Sequence, residues 1–152
     1  MKKFFACMLS VLLAVSLCAC GGIISYKDTN GEDDYSLQTI TESDILTKSR
    51  FTAIASVSVN SNGSSRLDIG SLSGVKKLET FSGGSSYDIT LSLSTKSGNV
   101  RLVLCTKDAI LYEFSPNGDD QTYHLEKQNE TVYLKIAGEE AAFKLEYKTE
   151  KK

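Results

Sequence analysis

The chain contains 152 residues, of which 17 are Lys or Arg and 19 are Asp or Glu, so its formal charge at pH 7 is −2. A mildly acidic chain with no stripe of Arg and Lys is not expected to bind the phosphate backbone of nucleic acids. The length is sufficient for one domain with its own hydrophobic core.

The chain begins with the parts of a secretory signal. Lys2 and Lys3 make the start basic, and residues 4–19 carry no charge. This apolar run is shorter than the ~20 residues that a transmembrane helix needs, and Gly21 follows soon after it. An ordinary cleaved signal, which would leave the chain secreted and free, is one interpretation.

The stretch Leu17-Cys18-Ala19-Cys20 resembles the lipobox of bacterial lipoproteins, which has an aliphatic residue, a small residue and a cysteine at the corresponding places. Cys18 departs from the small or hydroxyl residue that is usual there. The resemblance implies that residues 1–19 are removed as a signal peptide and that Cys20 carries diacylglycerol and palmitoyl chains. Two acyl chains anchor a protein stably, since each buried methylene contributes ~0.8 kcal/mol. The protein is then expected on the extracytoplasmic face of the cell membrane, or of an outer membrane if the organism has one.

After such cleavage the chain holds 15 basic and 19 acidic residues, a formal charge of −4, and only two cysteines. With Cys20 acylated, no disulfide can form within the chain, so the domain is expected to rely on its core. Cys105 has no basic neighbour in sequence that would activate its thiol, and we interpret it as a small, partly buried apolar residue. Contact with the membrane is expected through the lipid on Cys20 and not through a basic surface.

Residues 20–48 are predicted to form the lipidated cysteine and a flexible acidic linker. Four acidic residues lie between positions 28 and 34 among few apolar ones, and such a composition cannot bury enough surface to order the chain. One or two helical turns over residues 42–50 are expected at the edge of the domain.

Residues 49–152 show the period of two that is typical of β-strands. In the clearest case the apolar residues occupy every second position from Tyr87 to Leu93. In 100–105 one face carries Val100, Leu102 and Leu104, and the other carries Val103 and Cys105 beside Arg101, so this strand is expected to be covered on both faces. Polar turns separate the segments at 60–63, 82–85, 96–99, 115–118, 126–130 and 138–140.

About eight short strands are therefore expected, with no helix of useful length between them, which excludes a parallel α/β sheet. We predict an all-β domain, an antiparallel β-sandwich or jelly roll. In the first predicted strand the apolar residues Ala53, Val57 and Val59 lie at alternating positions, and Ile54 is the one apolar residue at an intervening position. The predicted strands lie at 51–59, 67–69, 75–81, 87–94, 100–105, 110–114, 122–125, 131–136 and 141–147.

The last two predicted strands read Val132-Tyr133-Leu134-Lys135-Ile136 and Phe143-Lys144-Leu145-Glu146-Tyr147, with a turn at Gly138. This rhythm is similar to the end of small bacterial extracellular sandwiches, the prepeptidase C-terminal and galactose-binding-like domains. The similarity covers only part of the domain, and the glycine that those domains place before the aromatic residue is absent. The resemblance implies a β-sandwich, and it carries no functional residue to this chain.

The sequence contains no recognisable catalytic constellation. It has one histidine, His124, and no Gly-x-Ser-x-Gly elbow around any serine. No His-rich or Cys-rich spacing indicates a metal site, and no cofactor is predicted. Glu113, Asp119 and Asp120 are the nearest candidates for the paired carboxylates of a glycoside hydrolase. We therefore expect a protein that is not an enzyme, and a small envelope hydrolase is the less favoured alternative.

Tyr133 and His124 lie out of phase with the apolar residues on either side of them. They are the candidates for a ligand-contact patch on an outer face, although aromatic residues also decorate exposed faces without a function.

The sequence thus predicts a lipid-anchored, non-enzymatic binding or accessory module at the cell envelope that interacts with a protein. A glycan-binding module is the main alternative. A contiguous apolar patch on the folded surface would favour a protein partner, whereas exposed Tyr or His beside polar loops would favour a glycan. Two acids converging in a cleft would favour a hydrolase.

Overall fold

The computed structural model describes residues 39–61 and 63–152, in which one short helix precedes six β-strands. The predicted signal peptide and Cys20 lie outside the described residues. The helix α1 spans Glu42–Thr47, and the strands are β1 Phe51–Ser61, β2 Ser64–Phe81, β3 Tyr87–Cys105, β4 Ile110–Phe114, β5 Asn117–Leu125 and β6 Val132–Lys151.

All six strands belong to one antiparallel sheet, in the order β1-β2-β6-β3-β4, with β5 also paired to β3. β3 is central: β6 follows one of its edges, and β5 and β4 share the other edge, one after the other. The prediction of an all-β antiparallel fold is confirmed. The structure has six strands where about eight were expected, because β2, β3 and β6, of 18, 19 and 20 residues, each join two of the nine predicted ranges.

The predicted turns at 96–99 and 138–140 are bends inside continuous strands. The pairing of β2 with β6 shifts register twice between Ile69 and Gly74, and the pairing of β3 with β6 shifts twice between Thr95 and Asn99. Register shifts of this kind kink a strand and increase its twist. Because the shifts on neighbouring strands lie at the same level, together they bend the sheet into two parts.

The two parts of the bent sheet share one core. Leu91 on one side of the bend and Leu102 on the other belong to a single cluster of buried apolar side chains, and the ring centroids of Phe114 and Tyr123 approach to 6.3 Å across it. We call the face toward this core the inner face. The first half-sheet is residues 56–61, 64–69, 87–95, 117–125 and 142–151, and the second is 51–53, 72–81, 99–105, 110–114 and 132–138.

Glycine lies at the bend where neighbouring strands approach closely. Gly98 has a φ of +71°, and a Cβ there would lie 2.6 Å from the backbone oxygens of Glu139 and Glu140. A Cβ at Gly138 would lie 2.8 Å from the backbone oxygen of Leu72. Glycine alone tolerates both the left-handed φ and the close backbone at position 98. The residues at 96–99 and 138–140, which were predicted to form turns, therefore form a corner of the sheet.

Residues 102–105 of β3 are covered on both faces, as predicted for the segment 100–105. Leu102 and Leu104 are fully buried in the main core, and Val103 and Cys105 are fully buried on the opposite, outer face. The expected burial of Cys105 is thus confirmed and is complete. Burial raises the pKa of its thiol, which keeps it protonated and unreactive.

α1 covers the outer face of the second half-sheet. Its Ile45 is fully buried in a second apolar cluster with Val103 and Cys105. The linker was expected to extend to residue 48, but the burial of Ile45 packs α1 against the sheet. The helix lies within residues 42–50, where helical turns at the edge of the domain were expected. The reason is tertiary, because the residues that cover Ile45 are remote in sequence. No helix in the part of the chain described by the structure has the length and apolar character of a membrane span.

Candidate interaction surface

β1 forms one edge of the sheet and carries no charged residue. It pairs with β2 along its whole length without a register shift, and no other described strand pairs with it. Ile54, Val57 and Val59 are 53%, 60% and 51% exposed, and they are three of the five large hydrophobic residues exposed in the described part of the chain. Open backbone groups and exposed apolar side chains therefore lie together on this strand.

The direction of the valine side chains differs from the prediction. The alternation placed Val57 and Val59 with Ala53, which is buried in the core. In the structure Val57 and Val59 point to the outer face, opposite Asp68 and Arg66. The cause is the bend, since β1 follows β2 around it and the parity of inward-facing residues changes there.

Ion pairs occupy the outer face beside the two valines. The Nζ of Lys96 lies 2.8 Å from Asp68, and that of Lys144 lies 3.7 Å from the same carboxylate. Arg66 lies 3.3 Å from Glu146. The hydrogen bond from Lys96 is the main cause that lowers the pKa of Asp68. Exposed pairs of this kind stabilise a fold little, but they make the outer face polar up to the margin formed by β1.

The other outer strands carry features that oppose pairing with a further strand. β4 contains Glu113, and β5 contains Asp119, Asp120 and His124. The pairing of β5 with β3 also shifts register, and Asp120 has a φ of +50°. Charges and bulges on an edge strand discourage association through its backbone. β1 has neither, so it is the edge at which the described sheet is open to another strand.

Tyr133, one of the two predicted contact residues, packs beside α1. It is half-buried next to the second apolar cluster and is the cross-strand partner of Cys105. The ammonium nitrogens of Lys77 and Lys135 each lie 5.7 Å from its ring centroid. Such cation–π contacts stabilise the position of a ring, and they explain the position of the Tyr133 side chain without a ligand.

His124, the other predicted contact residue, lies on the outer face of the first half-sheet. Its Nδ1 is 2.6 Å from Oδ1 of Asp88, and its Nε2 is 3.5 Å from Glu126. The structure does not bring His124 and Tyr133 together. The cross-strand partners of these two residues, Asp88 and Cys105, lie near opposite ends of β3. A role of either residue in ligand contact stays a prediction.

The candidate carboxylates of a hydrolase, Glu113, Asp119 and Asp120, differ in their surroundings. Glu113 accepts two hydrogen bonds from Arg101, at 2.9 and 2.7 Å, and this pairing lowers its pKa. A general acid needs the opposite shift. Asp119 and Asp120 are exposed on β5. Among the described residues no three His, Cys, Asp or Glu side chains are grouped so that they could hold a metal ion.

Two exposed features escaped the sequence-based interpretation. One is the valine pair of β1; the complete absence of charge in the first strand of the domain was the signal that could have identified it. The other is Tyr112 in the predicted strand 110–114, which is 40% exposed and has its ring centroid 4.4 Å from that of Tyr123. Its strand, β4, lies at a sheet edge, where even the inner face is incompletely covered.

Comparison with known proteins gives no family for the chain, because no protein-family model, curated protein or solved structure matches it. The similarities to the lipobox and to bacterial extracellular sandwiches rest on the residues quoted above. What the molecule does is therefore inferred from its own surface.

Proposed function

We propose that this chain is a lipid-anchored lipoprotein of the extracytoplasmic face, and that its domain is a non-enzymatic accessory module that binds a protein through β1. The observation that carries the proposal is the uncharged edge strand with exposed Ile54, Val57 and Val59. An apolar surface next to unpaired backbone is what strand addition by a partner protein requires.

Strand addition at β1 has a simple physical basis. The partner's main chain would satisfy the open N–H and C=O groups of β1, which supplies affinity, and the side chains of alternate residues would supply specificity. Covering Val57 and Val59 would remove apolar surface from water, which stabilises a complex by ~25 cal/mol per Å². Branched side chains such as these pack well on a pleated surface.

The anchor limits where the partner can lie. α1 begins at Glu42, so about 20 residues separate it from Cys20, and their extended length is at most ~70 Å at ~3.5 Å per residue. A domain on this tether stays near the membrane. The partner is therefore another protein of the envelope or a protein anchored in the same way.

The anchor is tested by Cys20→Ala in the full chain, expressed in a bacterium that processes lipoproteins. We expect the variant to lose incorporation of radiolabelled palmitate, because it has no thiol to acylate at the cleavage site. Cys18→Ala is the matched control and should keep the label. Incorporation of palmitate into the Cys20→Ala chain at the level of the parent chain would contradict acylation of Cys20.

The interaction is tested by placing a photo-crosslinking residue at Val57 in the anchored protein in cells. We expect capture of a specific protein, identified by mass spectrometry. Leu111 is the control position, because it is an exposed apolar residue of β4 at the opposite side of the sheet. Equal capture from both positions, or none from Val57, would contradict binding through β1.

Glycan binding is a second candidate, favoured by the exposed Tyr112 and its stacked neighbour Tyr123. Flat aromatic faces bearing hydroxyl groups suit sugar contacts. If Val57 captures no protein, this candidate predicts that the protein sediments with purified envelope polysaccharide. Tyr112→Ala should then abolish the co-sedimentation, whereas Leu111→Ala should leave it unchanged.

A further inference from the structure

We infer that the strand completing the β1 edge is β1 of a second copy of this chain, paired antiparallel with the two-fold axis at Ser58. The inference rests on the proposed function in using β1 as the interaction surface. It names the partner, and it fixes the register.

The register follows from the faces of the side chains. In an antiparallel pair, directly opposed residues project from the same face. Val57 and Val59 project outward, whereas Ser58, the cross-strand partner of the buried Leu67, projects from the inner face. Outer residues must therefore oppose outer residues. A two-fold axis at Ser58 sets Val57 against Val59 of the second copy and Val59 against its Val57, so that both exposed valines of each copy are covered.

The charges next to β1 are compatible with this pairing. Asp68 lies beside Val57 and Arg66 lies beside Val59. Across the interface between the two copies, each row of cross-strand neighbours therefore contains Asp68 and Val57 of one copy, followed by Val59 and Arg66 of the other. The two ends of each row carry opposite charges. β1 itself has no charge, so the two identical strands meet without repulsion.

The regular edge of β1 and the proposed membrane anchor also favour a second copy as the partner. The absence of register shifts in β1, together with its missing charges, leaves a regular edge that matches itself. Chains anchored in one membrane meet at a high effective concentration, so a contact of about seven residues per strand suffices without a large interface. The two first half-sheets would then join into one continuous sheet.

The pairing is tested with Ser58→Cys in the full, anchored chain, oxidised in membranes and run on a non-reducing gel. Opposed residues of antiparallel strands have Cα atoms ~4.5–5.5 Å apart, within the range of a disulfide. We expect a disulfide-linked dimer from Ser58→Cys. Ser94→Cys is the matched control, because Ser94 is an exposed serine on β3, inside the sheet. It should give only monomer, as should the parent chain, whose Cys105 is buried.

The register is tested by charges added to the Ser58→Cys chain. Val57→Lys with Val59→Lys sets lysine against lysine in both rows, and we expect loss of the dimer. Val57→Lys with Val59→Glu sets lysine against glutamate in both rows, and we expect the dimer to be retained. Both positions are more than half exposed, so neither pair of substitutions disturbs the core.

The outcomes separate this inference from the proposed function. If Val57 captures a different protein and Ser58→Cys forms no dimer, although in a separate sample a maleimide labels its thiol, the proposed function stands and the second copy is overturned. A dimer that responds equally to both charge pairs would overturn the register. If neither crosslink forms, β1 is not an interaction surface and both ideas fail.

Discussion

At the scale of single residues, His124 shows how a neighbour across a strand tunes a side chain. The hydrogen bond with Asp88 raises the pKa of His124 above 6.5, and the charge of Glu126 adds to this. Asp88 is held in turn by Lys152, whose Nζ lies 2.8 Å away. A raised folded pKa contributes stability that is present below the unfolded pKa and is lost as pH rises through the folded value. The ion pair of His124 thus favours the fold at mildly acid pH.

The pKa of His124 can be measured directly, because it is the only histidine of the chain. We expect an NMR titration of its ring to give a midpoint above the unperturbed value of 6.5. Asp88→Asn should lower the midpoint, since it removes the charged hydrogen-bond acceptor. Glu126→Gln should lower it less, because Glu126 acts only by charge at longer range. An unchanged midpoint in Asp88→Asn would show that the contact does not persist in solution.

At the scale of elements, α1 depends on contacts at both of its ends. Thr41 and Asp44 form a capping box at its start, and the hydrogen bond from Lys48 is the main cause that lowers the pKa of Asp44 to about 2. At its end, the Nζ of Lys135 donates to the carbonyl oxygens of Ile45 and Leu46, at 2.7 and 2.9 Å. A helix of six residues is not stable alone, so these contacts and its buried apolar side chain hold it on the sheet.

Lys135→Met tests this account of α1. The side chain is only 5% exposed and its ammonium satisfies the open carbonyls of the helix end, so we expect a loss of about 2–3 kcal/mol in the free energy of unfolding. The measurement is a guanidinium titration of the full chain. Lys77→Met is the control, because Lys77 is exposed on the same face, opposite Lys135, and should cost less than about 1 kcal/mol. Equal losses would mean that the helix end does not need its lysine.

At the scale of the whole molecule, the bend decides which surfaces are buried. Register shifts at one level of β2, β3 and β6 fold the sheet onto a single core, and the long strands pass through the corner without a break. The same bend turns the valines of β1 outward and leaves that edge as the open side of the described sheet. The proposed interaction surface is therefore a consequence of the corner.

Gly98→Ala tests the corner, with Gly63→Ala as its control. Both glycines have similar positive φ values, +71° and +76°, so both substitutions should carry the cost of a left-handed alanine, about 1–2 kcal/mol. A Cβ at Gly63 meets nothing within 4 Å, whereas one at Gly98 meets two backbone oxygens at 2.6 Å. We expect Gly98→Ala to lose about 1–3 kcal/mol more free energy of unfolding than Gly63→Ala. Equal losses would show that the strands do not approach closely there.

Several features of this protein could be read from its sequence. The period of two predicts the all-β class, because a strand with one buried face needs apolar residues at alternate positions. Apolar residues on both faces of the segment 100–105 predict that both faces are covered, and the burial of residues 102–105 confirms it. The anchor at Cys20 is also a matter of sequence, since a lipobox is recognised as a short peptide, and it stays a prediction.

Other features were decided by the tertiary structure alone. A glycine-rich segment looks the same whether it reverses the chain or turns a corner, and only the register of the neighbouring strands made 96–99 a bend. Alternation shows that Val57 and Val59 share a face, but the bend decided that this face is outside. The docking of α1 depended on Lys135, which is remote in sequence. Local pattern thus determined the strands, and contacts between distant segments determined which of their faces meet water.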